Sequence, residues 1–160
     1  MRRRSYDRRD RIDQYRENNR IEAKKATGGL PESIWETYSA FANTIGGVIL
    51  LGVEEDRNKN LRAVDLPDPH WLVEEFLRKV NDPKIASANI LNDDDVQIKT
   101  VDGNDMVLIY VPQAQPHQLP VYVGGDPYSG TYRRCGEGDI RCSRDEVERM
   151  MEGHSTAFCG

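Results

Sequence analysis

The run Val48-Ile49-Leu50-Leu51-Gly52-Val53 constrains the fold more than any other stretch of the chain. It is continuously apolar, too short for a buried helix, and bounded by Gly46-Gly47 and Glu54-Glu55. Such a run reads as a strand covered on both faces, so the rest of the chain must supply a layer on each side of it. Upstream, from Glu32, the residues Ile34, Tyr38, Phe41, Ala42 and Ile45 recur at spacings of three and four and predict a helix. Pro31 precedes it where a first-turn proline is tolerated. Gly46 and Gly47 are expected to end it, supplying positive φ and removing side-chain bulk at the turn into the strand.

The remaining elements follow from the same periodicities. Ile21 to Ala26 alternates weakly as a strand and is broken by Thr27-Gly28-Gly29. Leu61 to Val64 reads as a short returning strand after the turn-like Arg57–Asn60. Asp68-Pro69 opens a second helix with Leu72, Val73, Phe76, Leu77 and Val80 on one face, stopped by Asn81-Asp82-Pro83. Val96 to Thr100 and Met106 to Val111 flank the hairpin turn Asp102-Gly103-Asn104. Short strands are expected at Val121–Val123 and Thr131–Arg134. Ser143 with Glu146 forms a capping box for a helix to Glu152. The order predicts an α+β fold, a mixed sheet with helices packed on it. The organisation expected is a basic arm or short helix over 1–20, one domain over 21–152, and a tail over 153–160.

Bulk properties narrow the function. No run of 18 apolar residues exists and no apolar stretch follows Met1, so neither a membrane span nor a secretory signal is expected. The cysteines Cys135, Cys142 and Cys159 are odd in number and contain no Cys-x-x-Cys pair. That supports neither a disulfide framework nor a zinc ribbon and leads to the expectation of a cytoplasmic protein. Residues 1–25 hold ten Arg/Lys against five Asp/Glu, so this arm is +5 in a chain of net charge −5. A basic arm on an acidic body suits nucleic-acid contact, because Lys and Arg displace phosphate counterions; a solvated terminus has the same composition. No G-x-x-x-x-G-K-[ST] or G-x-S-x-G motif occurs, and His70, His117 and His154 have no metal spacing.

The stretch from Glu17 to Glu55 carries Glu22 and Lys24, then Ala40-Phe41-Ala42-Asn43-Thr44-Ile45-Gly46-Gly47, then Leu51-Gly52-Val53-Glu54-Glu55. In this order it resembles the Schlafen AlbA-type domain, often described as a DNA-binding domain. Gly130-Thr131-Tyr132-Arg133-Arg134 and Gly136-Glu137-Gly138-Asp139 resemble the segment that closes this domain in bacterial regulator-like members. The resemblance covers about residues 15–150. It implies a nucleic-acid-binding module, with DNA or RNA as partner, within a bacterial transcriptional regulator.

Two other functions follow from the same resemblance. Ribonuclease members of the family are held to use three acidic residues around a divalent cation. Their counterparts here are Glu17, Glu22 and Glu55, with Glu54 adjacent, so Mg²⁺ or Mn²⁺ would be the metal if this chain were an endoribonuclease. The third place departs from the family's usual Asp. The same carboxylates also suit a surface where they pair with Arg20, Lys24 and Lys25. AlbA-like units often pair, which makes a homodimeric interaction module the third function. For phosphate contact the candidates are Lys24, Lys25, Arg133, Arg134, Arg141 and Arg144, whose guanidinium forks match phosphate oxygens. One basic face is expected if the strands of Lys24 and Arg133 share a sheet. Tyr128 and Tyr132 are placed to stack on unpaired bases.

Overall fold

A break at Gly52 divides the apolar run between two sheets. In the computed structural model, residues 20–155 are described; residues 1–19, which hold Glu17 and all but one residue of the segment expected as a basic arm or short helix over 1–20, and residues 156–160 lie outside them. The elements are β1 (Ile21–Lys24), α1 (Ile34–Asn43), β2 (Gly47–Leu51), β3 (Val53–Glu55), β4 (Leu61–Ala63), α2 (Pro69–Val80), β5 (Val96–Val101), β6 (Asn104–Val111), α3 (Pro127–Gly130), β7 (Tyr132–Cys135), β8 (Gly138–Arg141) and α4 (Arg144–Met151). β1 and β2 run parallel with α1 as their crossover, and β2-β6-β5 continue antiparallel, giving the order β1-β2-β6-β5. The expected α+β fold, a mixed sheet with helices packed on it, is what the chain adopts.

Side-chain alternation gives the sheet two apolar faces. Ile49, Leu51, Val107, Ile109 and Val111 pack under Ile34, Tyr38, Phe41 and Ala42 of α1 and under Leu72, Phe76 and Val80 of α2. Leu50, Met106, Leu108 and Val101 face the other way and are covered by Val53 and Leu61 of the β3–β4 hairpin. Gly52 makes that possible. Its φ is +85°, and a Cβ there would lie 2.6 Å from Leu66 Cγ. The chain therefore turns after Leu51, and the single strand expected over Val48–Val53 becomes two strands in separate sheets.

Helix α2 agrees with its sequence signals. Asp68 caps it through the Trp71 amide at 3.0 Å, Pro69 fills the first turn, and Val80 ends it. Leu77 departs from the expected buried face and is 37% exposed. Helix α1 departs more: eight of its ten residues are buried, including Thr37, Ser39 and Asn43. A third layer, the β7–β8 hairpin, lies on its outer side and was legible in the sequence only as one short strand. The Ser143 capping box with Glu146 forms as expected. Cys142 is a free, buried thiol, whereas Cys135 is disulfide-bonded, which the odd cysteine count had argued against.

The turn into β2 uses its two glycines differently. Gly46 takes the positive φ, +75°, and Gly47 does not. Gly47 is required instead by space, because a Cβ there would lie 2.7 Å from the Phe41 ring. Replacing Gly47 by Val should lower stability by about 1–3 kcal/mol in urea denaturation through overpacking alone, and an unchanged midpoint would contradict this contact.

Tyr38 pins the loop beyond α2. Its hydroxyl donates to Ala88 O at 2.7 Å and accepts from Ile90 N at 3.1 Å. Burial pushes its phenol up to about 12, with the Ile90 amide opposing. The unfolded chain releases this proton near pH 10 while the folded chain keeps it, so the stabilisation is complete below pH 10 and is lost as pH rises towards 12. Tyr38→Phe should therefore show a shallower fall in urea midpoint between pH 10 and 12 than the wild type.

Candidate nucleic-acid interface

Two polar networks join the sequence motifs of the N-terminal half to those near residue 134. In the first, the last turn of α1 acts as a strand partner for β7. Asn43 Nδ2 donates to Val121 O and Tyr132 O, both at 2.9 Å, and its Oδ1 accepts from Val121 N at 2.8 Å. Ser39 Oγ donates to Val121 O at 2.7 Å and accepts from Tyr132 N at 3.0 Å. Thr44 Oγ1 donates to Ala40 O and accepts from Arg134 N at 2.9 Å. These side chains satisfy backbone groups of β7 and Val121 that would otherwise be buried without partners.

The second network centres on Arg134, whose side chain is 1% exposed. Its Nη2 donates to Glu22 Oε1 at 2.9 Å and its Nη1 to Asp139 Oδ1 at 2.7 Å. The guanidinium carbon lies 4.9 Å from the centre of the Phe41 ring. Asp139 Oδ2 accepts from Thr37 Oγ1 at 2.7 Å. Glu22 Oε2 lies 3.7 Å from Lys24 Nζ, which donates to Ser33 Oγ at 3.0 Å. One buried fork thus ties β1, α1 and the β7–β8 hairpin together.

This geometry corrects the basic face expected from the sequence. β1 belongs to the four-stranded sheet and β7 pairs with β8, so Lys24 and Arg133 do not share a sheet. Arg133 and Arg134 are successive strand residues and point opposite ways. Arg134 is buried in the fork, while Arg133 Nε meets Glu146 Oε2 at 2.9 Å. Lys24 is 12% exposed and engaged by Glu22 and Ser33. Of the six cations singled out in the sequence, those that reach solvent are Lys25, 61% exposed and 3.7 Å from Glu54; Arg144, 70% exposed; and Arg141, also exposed. The Arg144 guanidinium lies over the Tyr128 ring at 4.3 Å and pairs with Glu148 at 3.4 Å. Tyr132 is only partly exposed; burial raises its phenol pKa, Glu36 and Asp139 add to the shift, and Arg141 opposes it.

The acidic set does not present a metal centre among the described residues. Glu22 is committed to Arg134 and Lys24, Glu54 is paired with Arg62 and Lys25, and Glu55 is exposed. Among the described residues no three His, Cys, Asp or Glu side chains converge as a cation would require. Glu17 lies outside them. Ser39, which helps hold the first network, was not singled out in the sequence, and Asp139, which helps hold the second, stood there only inside the closing motif. The signal for Ser39 is that it and Asn43 put small polar side chains on the face of α1 away from the core, which marks a helix with a second packed side.

The fold and networks define an α+β domain in which a C-terminal hairpin is clamped onto a β-α-β core. The chain belongs to the family described as Schlafen, AlbA_2, which it matches over residues 17–143. Among solved structures it is similar to the N-terminal domain of a protein related to the ATP-dependent DNA helicase RecG, from Nitrosomonas europaea. The identity is 31%, with 78% of this chain and 83% of that one covered and a TM-score of 0.55. It is also similar in fold to the DIP2311 protein of Corynebacterium diphtheriae, at 19% identity and a TM-score of 0.53, covering 86% of this chain and 27% of that one. No curated protein matches the sequence. Among the described residues no helix is long and apolar enough to cross a membrane.

The clamp makes a direct prediction. Arg134→Met leaves Glu22 and Asp139 without their shared counter-charge and should lower stability by about 3–5 kcal/mol in urea denaturation. Arg134→Lys, which keeps the charge and loses the fork, should fall between the two. A Met variant as stable as the wild type would remove the clamp from this account.

Proposed function

We propose that this chain is a nucleic-acid-binding domain that contacts the sugar–phosphate backbone of DNA or RNA, acting within a transcriptional regulator. The observation that carries the reading is membership of the Schlafen AlbA_2 family, together with 31% identity to a domain of a RecG-related protein. The solvent-facing cations support it. Arg141 and Arg144 lie three residues apart at the junction of β8 and α4, and Arg144 is braced on the Tyr128 ring. A guanidinium placed over an aromatic ring loses less freedom on binding, and the Arg144 donors not turned to Glu148 can reach phosphate oxygens. Lys25, just after β1, adds an exposed charge 3.7 Å from Glu54. Arg134, Arg133 and Lys24 are occupied by carboxylates and take no part in this reading.

The test is a mobility shift of tRNA and of duplex DNA, each with and without Mn²⁺. Retardation without cleavage is expected. Arg141→Ala with Arg144→Ala should weaken binding and reduce the slope of log affinity against log salt by about 1 per lost phosphate contact. Failure to shift either nucleic acid at low salt would refute the proposal. Hydrolysis that requires Mn²⁺ and is lost in Glu55→Gln would replace it with the endoribonuclease. Glu55 is the better probe there, because it is exposed and its substitution spares the clamp that Glu22 serves.

A further inference from the structure

A groove of about 240 Å³ opens where the parallel strands β1 and β2 end. It is lined by Ala26, Thr27, Gly28 and Gly29 on one side and by Pro67, Asp68, Trp71 and Leu72 on the other. The two chain segments that leave these strands diverge. The one after β1 crosses to α1 on one face of the sheet, and the one after β2 turns at Gly52 into the hairpin on the other face. Crevices at the carboxyl ends of parallel strands whose connections part in this way are where open sheets place ligands.

The walls point to a flat, apolar ligand. Trp71 is 48% exposed on the first turn of α2, and its amide is held by Asp68 Oδ1 at 3.0 Å. Opposite it, Gly28 and Gly29 leave bare main chain, with no atom within 4 Å of where either Cβ would be. The turn is closed by Gly29 N donating to Ala26 O at 3.2 Å, and Ala26 itself is held at a φ of +56°. A non-glycine residue in that conformation costs about 1–3 kcal/mol, which the surrounding structure must offset. One wall of the groove is thus a turn closed by its own hydrogen bond.

We infer that this groove takes one unpaired nucleobase, stacked on Trp71 against the Gly28-Gly29 main chain, and so gives the domain a preference for single strands. The inference rests on the nucleic-acid-binding reading and specifies which form of nucleic acid that domain prefers. Charge decides which part of a polynucleotide enters. The Asp68 carboxylate in the wall repels phosphate and leaves the uncharged base as the group that goes in. Lys25, the residue before the groove wall, carries an ammonium 61% exposed for the phosphate outside it. Stacking on an indole tolerates any base, and a paired base inside a duplex has no free face to offer.

The test uses the whole chain with Trp35→Phe, which leaves Trp71 as the single tryptophan. Its emission should be quenched by a single-stranded oligonucleotide, of RNA or of DNA, and not by a duplex of the same sequence. Trp71→Ala in the unaltered chain should weaken single-strand binding about tenfold, and Trp71→Phe should recover most of it. Gly28→Val is an independent variant: its φ is not positive and the space around it is open, so the fold accepts a side chain at the groove wall, and it should lose affinity to a similar degree. If the wild type binds oligonucleotides while Trp71→Ala binds equally well, the groove assignment is overturned and the nucleic-acid reading stands. An emission change that follows protein concentration without oligonucleotide gives the groove to a second copy, and also overturns it. If the wild type binds no nucleic acid at all, the broader reading fails first.

Discussion

The guanidinium of Arg134 is the point on which the three layers depend. It is 1% exposed, yet it carries a full charge that must be met by partners inside the protein. Glu22 from β1 and Asp139 from β8 meet it on two nitrogens, and the Phe41 ring lies beneath its face. The fork geometry matters because the two carboxylates come from elements in separate sheets. A planar group with donors on two edges spans them, whereas an ammonium at the end of a flexible stem has no such fixed reach. Removing any one partner strands the others in a region of low polarity, which is why the network behaves as a unit.

The same arrangement separates residues that hold the fold from residues that face a ligand. Within one strand, Arg133 and Arg134 look equivalent in the sequence, but alternation sends one to Glu146 of α4 and the other into the clamp. Lys24 is likewise absorbed by Glu22 and Ser33. Among the six basic residues of the motifs, Lys25, Arg141 and Arg144 keep their charge outward. Basic residues inside a family motif are therefore not, by that fact, its nucleic-acid contacts. Here some of the motif is spent on joining β1, α1 and β7.

Periodicity and punctuation made much of the fold legible. The α2 helix with its Asp68 cap, the β5–β6 hairpin around Asp102-Gly103, and the Ser143 capping box are local matters, settled by residues a few positions apart. What was not legible depends on distance in the chain. Nothing near Gly52 announces that Leu66 will close against it, so the apolar run looked like one strand. β8, with Gly138, Asp139 and Arg141, lacks the apolar alternation that marks a strand, because it is held through Asp139 and its pairing with β7. The site residues suffered most. Whether an arginine is buried depends on a carboxylate more than a hundred positions away, and Trp71 drew no notice because an exposed aromatic on a helix has no periodic signal.

The Arg134–Glu22 contact joins residues 112 positions apart. In kinetic terms it closes one of the longest loops in the domain and bears a correspondingly large entropic cost of closure, while the β5–β6 hairpin closes almost for free. The layer it secures, the β7–β8 hairpin, meets α1 largely through hydrogen bonds donated by Thr37 and Asn43 and accepted by Ser39 and Thr44. A lift of that hairpin uncovers small hydroxyl and amide groups that water can satisfy, and leaves the apolar contacts between α1 and the sheet closed. The outermost layer is thus joined to α1 mainly by polar groups, with the Phe41 ring under Arg134 as the apolar contact, so parting the two would expose little greasy surface.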